Sequence, residues 1–208
     1  IGGKDIWFDE DIQRLNEDGR GLHLGQFNDG DHILAIFKDG TYYTTTFDLS
    51  NRYQGDLLKI EKLDPNKIYT ALYYDKGVAA FYVKRFSFDV SDNTPVSFIS
   101  DSKGSYLVEI SDDRHPQIEV TFGGRHEHRD PENIDAEEFI AKKGLQAKGK
   151  KTSALDVKSV KFIEPLHKPE DDVVPQESEA ENQAGEIDNS DIEEPLDLNI
   201  DDNQLTLF

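Results

Sequence analysis

A β-hairpin signal that recurs along the chain constrains the fold more than any other feature of the sequence. In its clearest copy, two apolar, β-branched and aromatic runs, residues 33–37 and 41–47, flank Lys38-Asp39-Gly40. Asp-Gly between two strand-like runs is one of the strongest short-range hairpin signals. The same arrangement returns in residues 67–88, around Asp75-Lys76-Gly77. The sequence therefore predicts two β-hairpins of similar design.

A third hairpin is predicted in residues 96–110, with Ser102-Lys103-Gly104 at its tip. Tip glycines then recur at intervals of 37, 27 and 40 residues, at Gly40, Gly77, Gly104 and Gly144. Irregular repeats of this size, each with about four short strands, are typical of propeller blades. We therefore expect an all-β, propeller-like fold of about four blades in residues 1–165. A sandwich of two sheets is the alternative that spacing alone leaves open.

Individual strands differ in their expected burial. Ile33–Phe37 is apolar on both faces, which indicates a strand buried from both sides. Residues 117–122 alternate apolar and polar side chains, which indicates one buried and one wet face. Further elements are predicted as strands at residues 5–8, 21–27 and 57–63 and as a short helical turn capped at residues 135–138.

Charge is distributed very unevenly along the chain. Residues 169–208 contain fourteen of the 43 Asp and Glu residues and no Lys or Arg, whereas residues 1–168 hold the other 29 together with all 23 basic residues. The net charge of −20 therefore divides into −6 for the body and −14 for the tail. A segment this acidic, with no aromatic residue before Phe208, cannot bury enough apolar surface to offset its chain entropy. We expect residues 166–208 to form a disordered acidic tail.

Several protein classes are excluded by composition. The chain has no cysteine, so it has neither disulfides nor a cysteine-based metal or nucleophilic site, and this fits a reducing cytoplasm. It has no signal peptide and no apolar run near the length that crosses a bilayer, so no membrane association is expected. The chain begins Ile-Gly-Gly and contains no methionine, and we expect it to be a fragment of a longer polypeptide.

Two clusters have residue types that bind metals, and both favour another interpretation. Asp9-Glu10-Asp11 lacks a suitably spaced further ligand, so we interpret it as a solvated turn. His126 and His128 lie in a turn beside Arg125 and Arg129, which would repel a cation. No metal site is expected.

One strongly basic stretch lies in this acidic chain. Residues 139–161 hold seven lysines against a single acid, Asp156. Lysines along a strand edge commonly prevent pairing with another sheet. Seven bases interleaved with glycines also suit an edge that binds a polyanion, and the spacing does not decide between the two. Two further bases, Lys84 and Arg85, leave opposite faces of a predicted strand near its end.

Taken together and in order, several stretches of the chain resemble a known family. They are similar to the C-terminal region of the A subunit of bacterial type IIA topoisomerases, most of all topoisomerase IV of the Bacteroides group. The resemblance covers nearly the whole body. The stretches that carry it are IGGKDIWFDEDIQRLNEDGRGLHLGQF, DHILAIFKDGTYYTT, KIYTALYYDKG, YVKRFSFD, QIEVTFGG and EEFIAKKGLQAKGKK.

The resemblance implies a β-pinwheel, a propeller-like disc whose rim binds and bends duplex DNA and presents a transport segment to the catalytic core. Gly19-Arg20-Gly21 is at best a remnant of the glycine-arginine-rich box that marks gyrase, which favours topoisomerase IV. Pinwheels of this family usually have five or six blades. Four blades therefore imply an incomplete, open disc.

The resemblance also implies that this fragment is not catalytic. In the family, the DNA-cleaving tyrosine lies in an upstream domain, and ATP and Mg²⁺ act through the partner subunit, so no cofactor is expected here. The implied partners are double-stranded DNA, the topoisomerase B subunit and the A-subunit core, in the cytoplasm at the nucleoid. No Ser/His/Asp or paired-carboxylate arrangement in the sequence favours an independent enzyme.

We expect the rim to contact DNA phosphates without reading bases. The residues assigned to it are Lys84, Arg85, Arg125, Lys142, Lys143, Lys148, Lys150 and Lys151. The body's net charge of −6 predicts weak binding that gains strength from tethering to the core enzyme. The acidic tail is expected to compete with DNA for the rim, so its deletion should tighten binding.

The last five residues, QLTLF, resemble the peptide by which many bacterial replication proteins bind the sliding clamp. The residues assigned to this docking are Gln204, Leu205, Leu207 and Phe208, and an incidental apolar end is the alternative. The main alternative for the whole chain is a protein-interaction propeller with no role on DNA, which docks its partners through the acidic tail and the QLTLF end.

Overall fold

Strands account for almost all of the regular structure in residues 2–172, the part of the chain that the computed structural model describes. In chain order they are β1 (Lys4–Asp9), β2 (Arg14–Asn16), β3 (Leu22–Phe27), β4 (Ile33–Phe37), β5 (Thr41–Thr45), β6 (Leu57–Lys62), β7 (Tyr69–Asp75), β8 (Ala80–Phe86), β9 (Val96–Ser97), β10 (Tyr106–Ser111), β11 (Gln117–Phe122), β12 (Glu132–Asp135), β13 (Lys150–Lys151) and β14 (Val157–Ile163). A helix, α1 (Ala136–Phe139), follows β12, and 3₁₀ turns span Gly124–His126 and Pro169–Asp172. Asp135 caps α1 by accepting a hydrogen bond from the backbone N–H of Glu137, as the sequence predicted.

The strands form four antiparallel sheets built on one plan. Sheets 1 to 4 have the strand orders β2-β1-β3, β6-β4-β5-β9, β10-β7-β8-β13 and β12-β11-β14. In each sheet, a central strand (β1, β4, β7 or β11) pairs with the next strand of the chain on one side and with a later strand on the other. A β-bulge interrupts the second of these pairings in all four sheets. These four copies confirm the predicted all-β, propeller-like β-pinwheel fold of about four blades.

Sheets 2 and 3 are each completed by a strand that the chain supplies only after it has started the next sheet. β9 follows β8 of sheet 3 but pairs with β5 in sheet 2. β13 follows β12 of sheet 4 but pairs with β8 in sheet 3. This exchange links neighbouring sheets through the chain itself as well as through side-chain packing.

The predicted third hairpin is wrong because of this exchange. Val96–Ser97 pairs with β5, whereas Tyr106–Ser111 pairs with β7, so the two halves of the expected hairpin lie in different sheets. A turn does form at the expected tip, where the N–H of Ser105 donates to the carbonyl of Ser102 over 2.9 Å. Turn chemistry sets the local chain direction and does not select the partner of a flanking strand. Gly144 is likewise not a hairpin tip, since it lies in the irregular segment between α1 and β13.

Strand β4 is buried from both sides, as its sequence predicted. Ile33, Ala35 and Phe37 pack into a core shared with sheet 1, while Leu34 and Ile36 pack into a core shared with sheet 3. All five side chains are at most 5% exposed. Because side chains alternate between the two faces of a strand, an uninterrupted apolar run places β4 between two other sheets.

The outer sheets are buried on one face only. The apolar residues of β11 pack against sheet 3, and its polar residues stay partly exposed, which confirms the predicted wet face. The hydrophobic clusters of residues 2–172 join sheet 1 to 2, sheet 2 to 3 and sheet 3 to 4, and none of them joins sheet 4 to sheet 1. The described sheets therefore pack in series, from sheet 1 to sheet 4.

The position of β4 between two sheets makes a stability prediction. Ile36 is fully buried, so Ile36→Ala should lower the free energy of unfolding by about 2–5 kcal/mol through reduced apolar burial and a residual cavity. The control Val78→Ala, at a side chain that is 52% exposed, should change it by less than about 0.5 kcal/mol. Urea denaturation measures both, and equal effects of the two substitutions would contradict the double burial of β4.

Candidate nucleic-acid interface

Five exposed lysines lie along one edge of sheet 3. The chain that leads from α1 to β13 runs alongside β8, where the N–H of Lys143 donates to the carbonyl of Arg85 (2.8 Å) and the N–H of Thr152 donates to that of Phe81 (3.0 Å). Between these points, β13 pairs directly with β8. The exposed side chains along this border define the basic edge: Lys142, Lys143, Lys148, Lys150 and Lys151. The structure thus brings five of the eight predicted DNA-binding residues onto one edge.

A close backbone approach at Gly149 allows the basic edge to form. Gly149 has a φ of +90°, and a Cβ at this position would lie 2.3 Å from the carbonyl oxygen of Val83. Glycine alone tolerates both the left-handed backbone and this separation. Next to it, the hydroxyl of Tyr73 donates to the carbonyl of Lys148 over 2.5 Å. These contacts hold the segment on β8 although β13 itself has only two residues.

Lys148 is held to the domain by a buried carboxylate. Its Nζ lies 3.1 Å from Oδ2 of Asp75, which is 2% exposed, and 4.8 Å from the centre of the Tyr82 ring. The hydrogen bond that it donates to Asp75 raises the pKa of Lys148. Burial raises the pKa of Asp75, but the hydrogen bonds from Lys148 and from the N–H of Gly77 outweigh burial, so this pKa is lowered. The charge of Lys148 is therefore balanced within the domain.

Of the other four lysines of the basic edge, one makes side-chain contacts with the domain and three make no ion pair within residues 2–172. Lys150 Nζ donates to the backbone carbonyl of Phe139 over 3.2 Å and lies 4.0 Å from the centre of the Phe139 ring. Within residues 2–172, Lys142, Lys143 and Lys151 make no ion pair. These three ammonium groups are the ones available to an external anion.

A groove of about 780 Å³ lies between sheets 3 and 4, next to the basic edge. Lys151 lines it from sheet 3, and Lys158 of β14 lines it from sheet 4. Arg125 lies next to the lining residue Gly124, with its side chain 88% exposed and its Nε 3.6 Å from Oδ2 of Asp156. The groove is therefore lined by one lysine from each sheet and by the acids Glu127 and Asp156, with the guanidinium of Arg125 beside it.

The family model described as the topoisomerase C-terminal domain of Bacteroidota matches residues 14–164. The chain belongs to this family. Among solved structures, it is similar to the crystal structure of the C-terminal domain of DNA topoisomerase IV, with a TM-score of 0.44 and 10% sequence identity over 70% of this chain and 50% of that one. The chain thus spans half the length of that structure. No curated protein matches the chain.

Two residues assigned to the surface of this topoisomerase C-terminal domain lie in its interior instead. Lys84 is 3% exposed and Arg85 is 8% exposed, so neither side chain can meet a DNA phosphate, and their assignment to the rim is wrong. Nη2 of Arg85 lies 3.7 Å from Oε1 of Glu137, and its Nε is buried without a hydrogen-bond partner among residues 2–172. Alternation correctly places the two side chains on opposite faces of β8, but it does not reveal what covers each face.

Lys84 joins the two crossing segments of the topoisomerase domain. Its Nζ donates to the carbonyl of Phe98, which follows β9, and to that of Leu145, which precedes β13, over 2.7 Å and 2.6 Å. Neither acceptor carries a full negative charge. Burial therefore lowers the pKa of Lys84, to about 8. The residue acts as a structural link between the strands that are exchanged.

The other polar clusters singled out in the sequence have ordinary local partners. Oδ1 of Asp9 accepts hydrogen bonds from the backbone N–H groups of Asp11 (3.1 Å) and Ile12 (3.4 Å), which confirms a turn. His126 lies 3.2 Å from Asp156, and His128 is exposed. Residues 2–172 contain no group of three or more His, Cys, Asp or Glu side chains that could hold a metal ion.

Some sequence assignments fall outside residues 2–172, and one useful residue was not assigned. The docking residues Gln204, Leu205, Leu207 and Phe208 lie outside the described part of the chain, as does most of the acidic tail. Lys158 was not assigned to the interface, because only the packing of β14 beside sheet 3 brings it to the groove that Lys151 also lines. No helix in the described residues is long and apolar enough to span a membrane.

The pKa of Lys84 tests its burial. It falls from 10.5 to about 8 in the folded domain, so between these pH values the unfolded chain holds a proton that the folded domain has released. Stability contributed by this group therefore increases as pH rises from 8 to 10.5. Relative to Lys84→Met, the wild-type protein should gain free energy of unfolding between pH 8 and pH 10, as measured by urea denaturation. Lys142→Met is the control, and the same pH dependence in both variants would contradict the burial of Lys84.

Proposed function

We propose that this chain is the non-catalytic DNA-binding and DNA-bending part of a type IIA topoisomerase A subunit. In this role it presents a transport segment of duplex DNA to the catalytic core for ATP-dependent decatenation or relaxation. The observation that carries the proposal is a set of ammonium groups on the exposed edge of sheet 3, those of Lys142, Lys143 and Lys151, which make no ion pair within residues 2–172. Membership of the topoisomerase C-terminal domain family supports it.

The proposed mechanism is electrostatic. Ammonium groups on an exposed edge release counterions from phosphates and carry no fixed geometry for reading bases. Lys151 and Lys158 line the groove between sheets 3 and 4 from opposite sides and Arg125 lies beside it, so a bound duplex would cross from one sheet to the next. The body's net charge of −6 keeps the intrinsic affinity low, and tethering to the core enzyme raises the effective DNA concentration.

The proposal includes the partners of the parent enzyme. The A-subunit core and the topoisomerase B subunit would supply DNA cleavage, ATP and Mg²⁺, and this fragment would bind no cofactor of its own. The QLTLF end would dock on the sliding clamp, and the acidic tail would compete with DNA for the basic edge.

A duplex-DNA titration of the full chain at two salt concentrations tests the assignment. The variant Lys142→Glu/Lys143→Glu/Lys151→Glu should lose most of the affinity and flatten the log-log salt dependence by about 0.9 for each phosphate that is no longer neutralised, or by about 2.7 for three. The matched control is Arg14→Glu/Lys38→Glu/Arg52→Glu, which changes the net charge equally at exposed bases of β2 and of the β4–β5 and β5–β6 connections that make no ion pair within residues 2–172.

Loss of DNA affinity in the Lys142/Lys143/Lys151 variant but not in the control would support DNA binding at the basic edge. Equal loss in both variants would instead indicate a nonspecific effect of net charge. An absence of binding by the wild-type chain at low salt would contradict a role on DNA and favour the protein-interaction module.

A further inference from the structure

His115 lies between the body of the domain and the last described residues. It precedes β11 and is 6% exposed. Its Nδ1 lies 2.7 Å from Oε2 of Glu137 in α1, and its Nε2 lies 3.1 Å from Oδ1 of Asp171 in the final 3₁₀ turn. One imidazole ring thus bridges a carboxylate of the body and a carboxylate of the C-terminal segment.

This geometry requires the charged form of the ring. A neutral imidazole carries a proton on one nitrogen and a lone pair on the other, so one of the two carboxylates would face a lone pair. The imidazolium donates from both nitrogens and gains two charge-assisted hydrogen bonds. The pKa of His115 is raised above its usual 6.5, and the hydrogen bond to Glu137 is the main cause.

The charged groups around His115 come from every element packed against it. Glu137 also accepts a hydrogen bond from Lys168 Nζ (2.7 Å), and Lys168 Nζ lies 3.2 Å from Oδ2 of Asp135. Asp171 lies 3.1 Å from Nη1 of Arg114. The remaining neighbours are Arg85 of β8, 3.7 Å from Glu137, and His167, 3.9 Å from Asp171.

Few other contacts hold residues 166–172 on the body. The N–H of Leu166 donates to the carbonyl of His115 over 2.9 Å. No residue of this segment belongs to a hydrophobic cluster of the described chain. Attachment of the segment therefore depends mainly on the ion pairs around His115 and Lys168.

We propose that His115 is a proton-dependent latch that fastens residues 166–172 to α1. When the ring is protonated, both carboxylates are bonded and the segment is docked. When the ring is neutral, the bond to one carboxylate is lost, and the segment keeps its ion pairs through Lys168 and Arg114 and is held more weakly. Because the folded-state pKa is raised, the latch is fully closed below pH 6.5 and opens as pH rises through the folded-state value.

The latch lies beside the basic edge, and this part of the inference rests on the proposed function. Phe139, at the C-terminal end of α1, accepts the hydrogen bond from Lys150 Nζ. Residues 170–172 are all acidic and begin the acidic tail. A closed latch therefore fastens the start of the tail to the helix, α1, whose last residue contacts Lys150 of the basic edge. Its opening should relieve competition between the tail and DNA.

Hydrogen–deuterium exchange of the full chain tests the latch without DNA. After correction for intrinsic exchange, protection of residues 165–172 in the wild type should fall at least tenfold between pH 6 and pH 8.5. His115→Gln should show low protection at both pH values, and the control His128→Gln, at a fully exposed side chain, should behave like the wild type. Unchanged wild-type protection across this range would overturn the latch, as would wild-type protection in a folded His115→Gln protein.

DNA affinity at pH 6 tests the link to the basic edge. His115→Gln should bind duplex DNA several-fold more tightly than the wild type and His128→Gln, and the difference should disappear at pH 8.5. If all three proteins bind DNA equally at pH 6 while hydrogen exchange behaves as expected, the tail does not compete with DNA, but the latch stands. If no variant binds DNA, the proposed function fails, while the exchange experiment still decides on the latch.

Discussion

The inner strands of this domain are buried from both sides, between the sheet before and the sheet after, and the other features follow from that packing. β4 and β7 each divide their side chains between two cores, so sheets 2 and 3 have no core of their own. Apolar burial, at about 25 cal/mol per Å², is the main favourable term in folding, and here it is gained only when neighbouring sheets are in place. The returning strands β9 and β13 keep those neighbours together.

Each of the four sheets has edge strands, and edge strands carry unpaired backbone groups that invite association with another chain. The basic edge places lysines where such pairing would occur. Lys148 forms an ion pair with Asp75, and Lys150 donates a hydrogen bond to the carbonyl of Phe139, so both ammonium groups help to hold the exchanged segment in place. Lys142, Lys143 and Lys151 extend outward. Protection of an edge and binding of a polyanion are therefore compatible, because different lysines of one edge serve the two roles.

Two buried cations show how the partner determines the chemistry of a site. Lys84 donates to the carbonyls of Phe98 and Leu145, whose dipoles do not offset the cost of burying the charge, so its pKa falls. His115 donates to two carboxylates, whose negative charge stabilises the imidazolium, so its pKa rises. The first cation holds exchanged strands within the domain, and the second holds the C-terminal segment against it. Both side chains are buried, and the opposite directions of the two pKa shifts follow from the charge of the acceptors.

The sequence by itself determined where most strands lie, that about four blades form, and that β4 is buried from both sides. Residues 33–37 have no polar face and residues 117–122 have one, and both patterns are local because side chains alternate along a strand. Pairing partners are not local, so the turn at Ser102 did not reveal that its flanks join different sheets. The same limit applies to Lys84, since alternation gives its face but the groups that cover it come from segments 14 and 61 residues away. Only the tertiary structure decided these points, because they depend on contacts between segments that lie far apart in the chain.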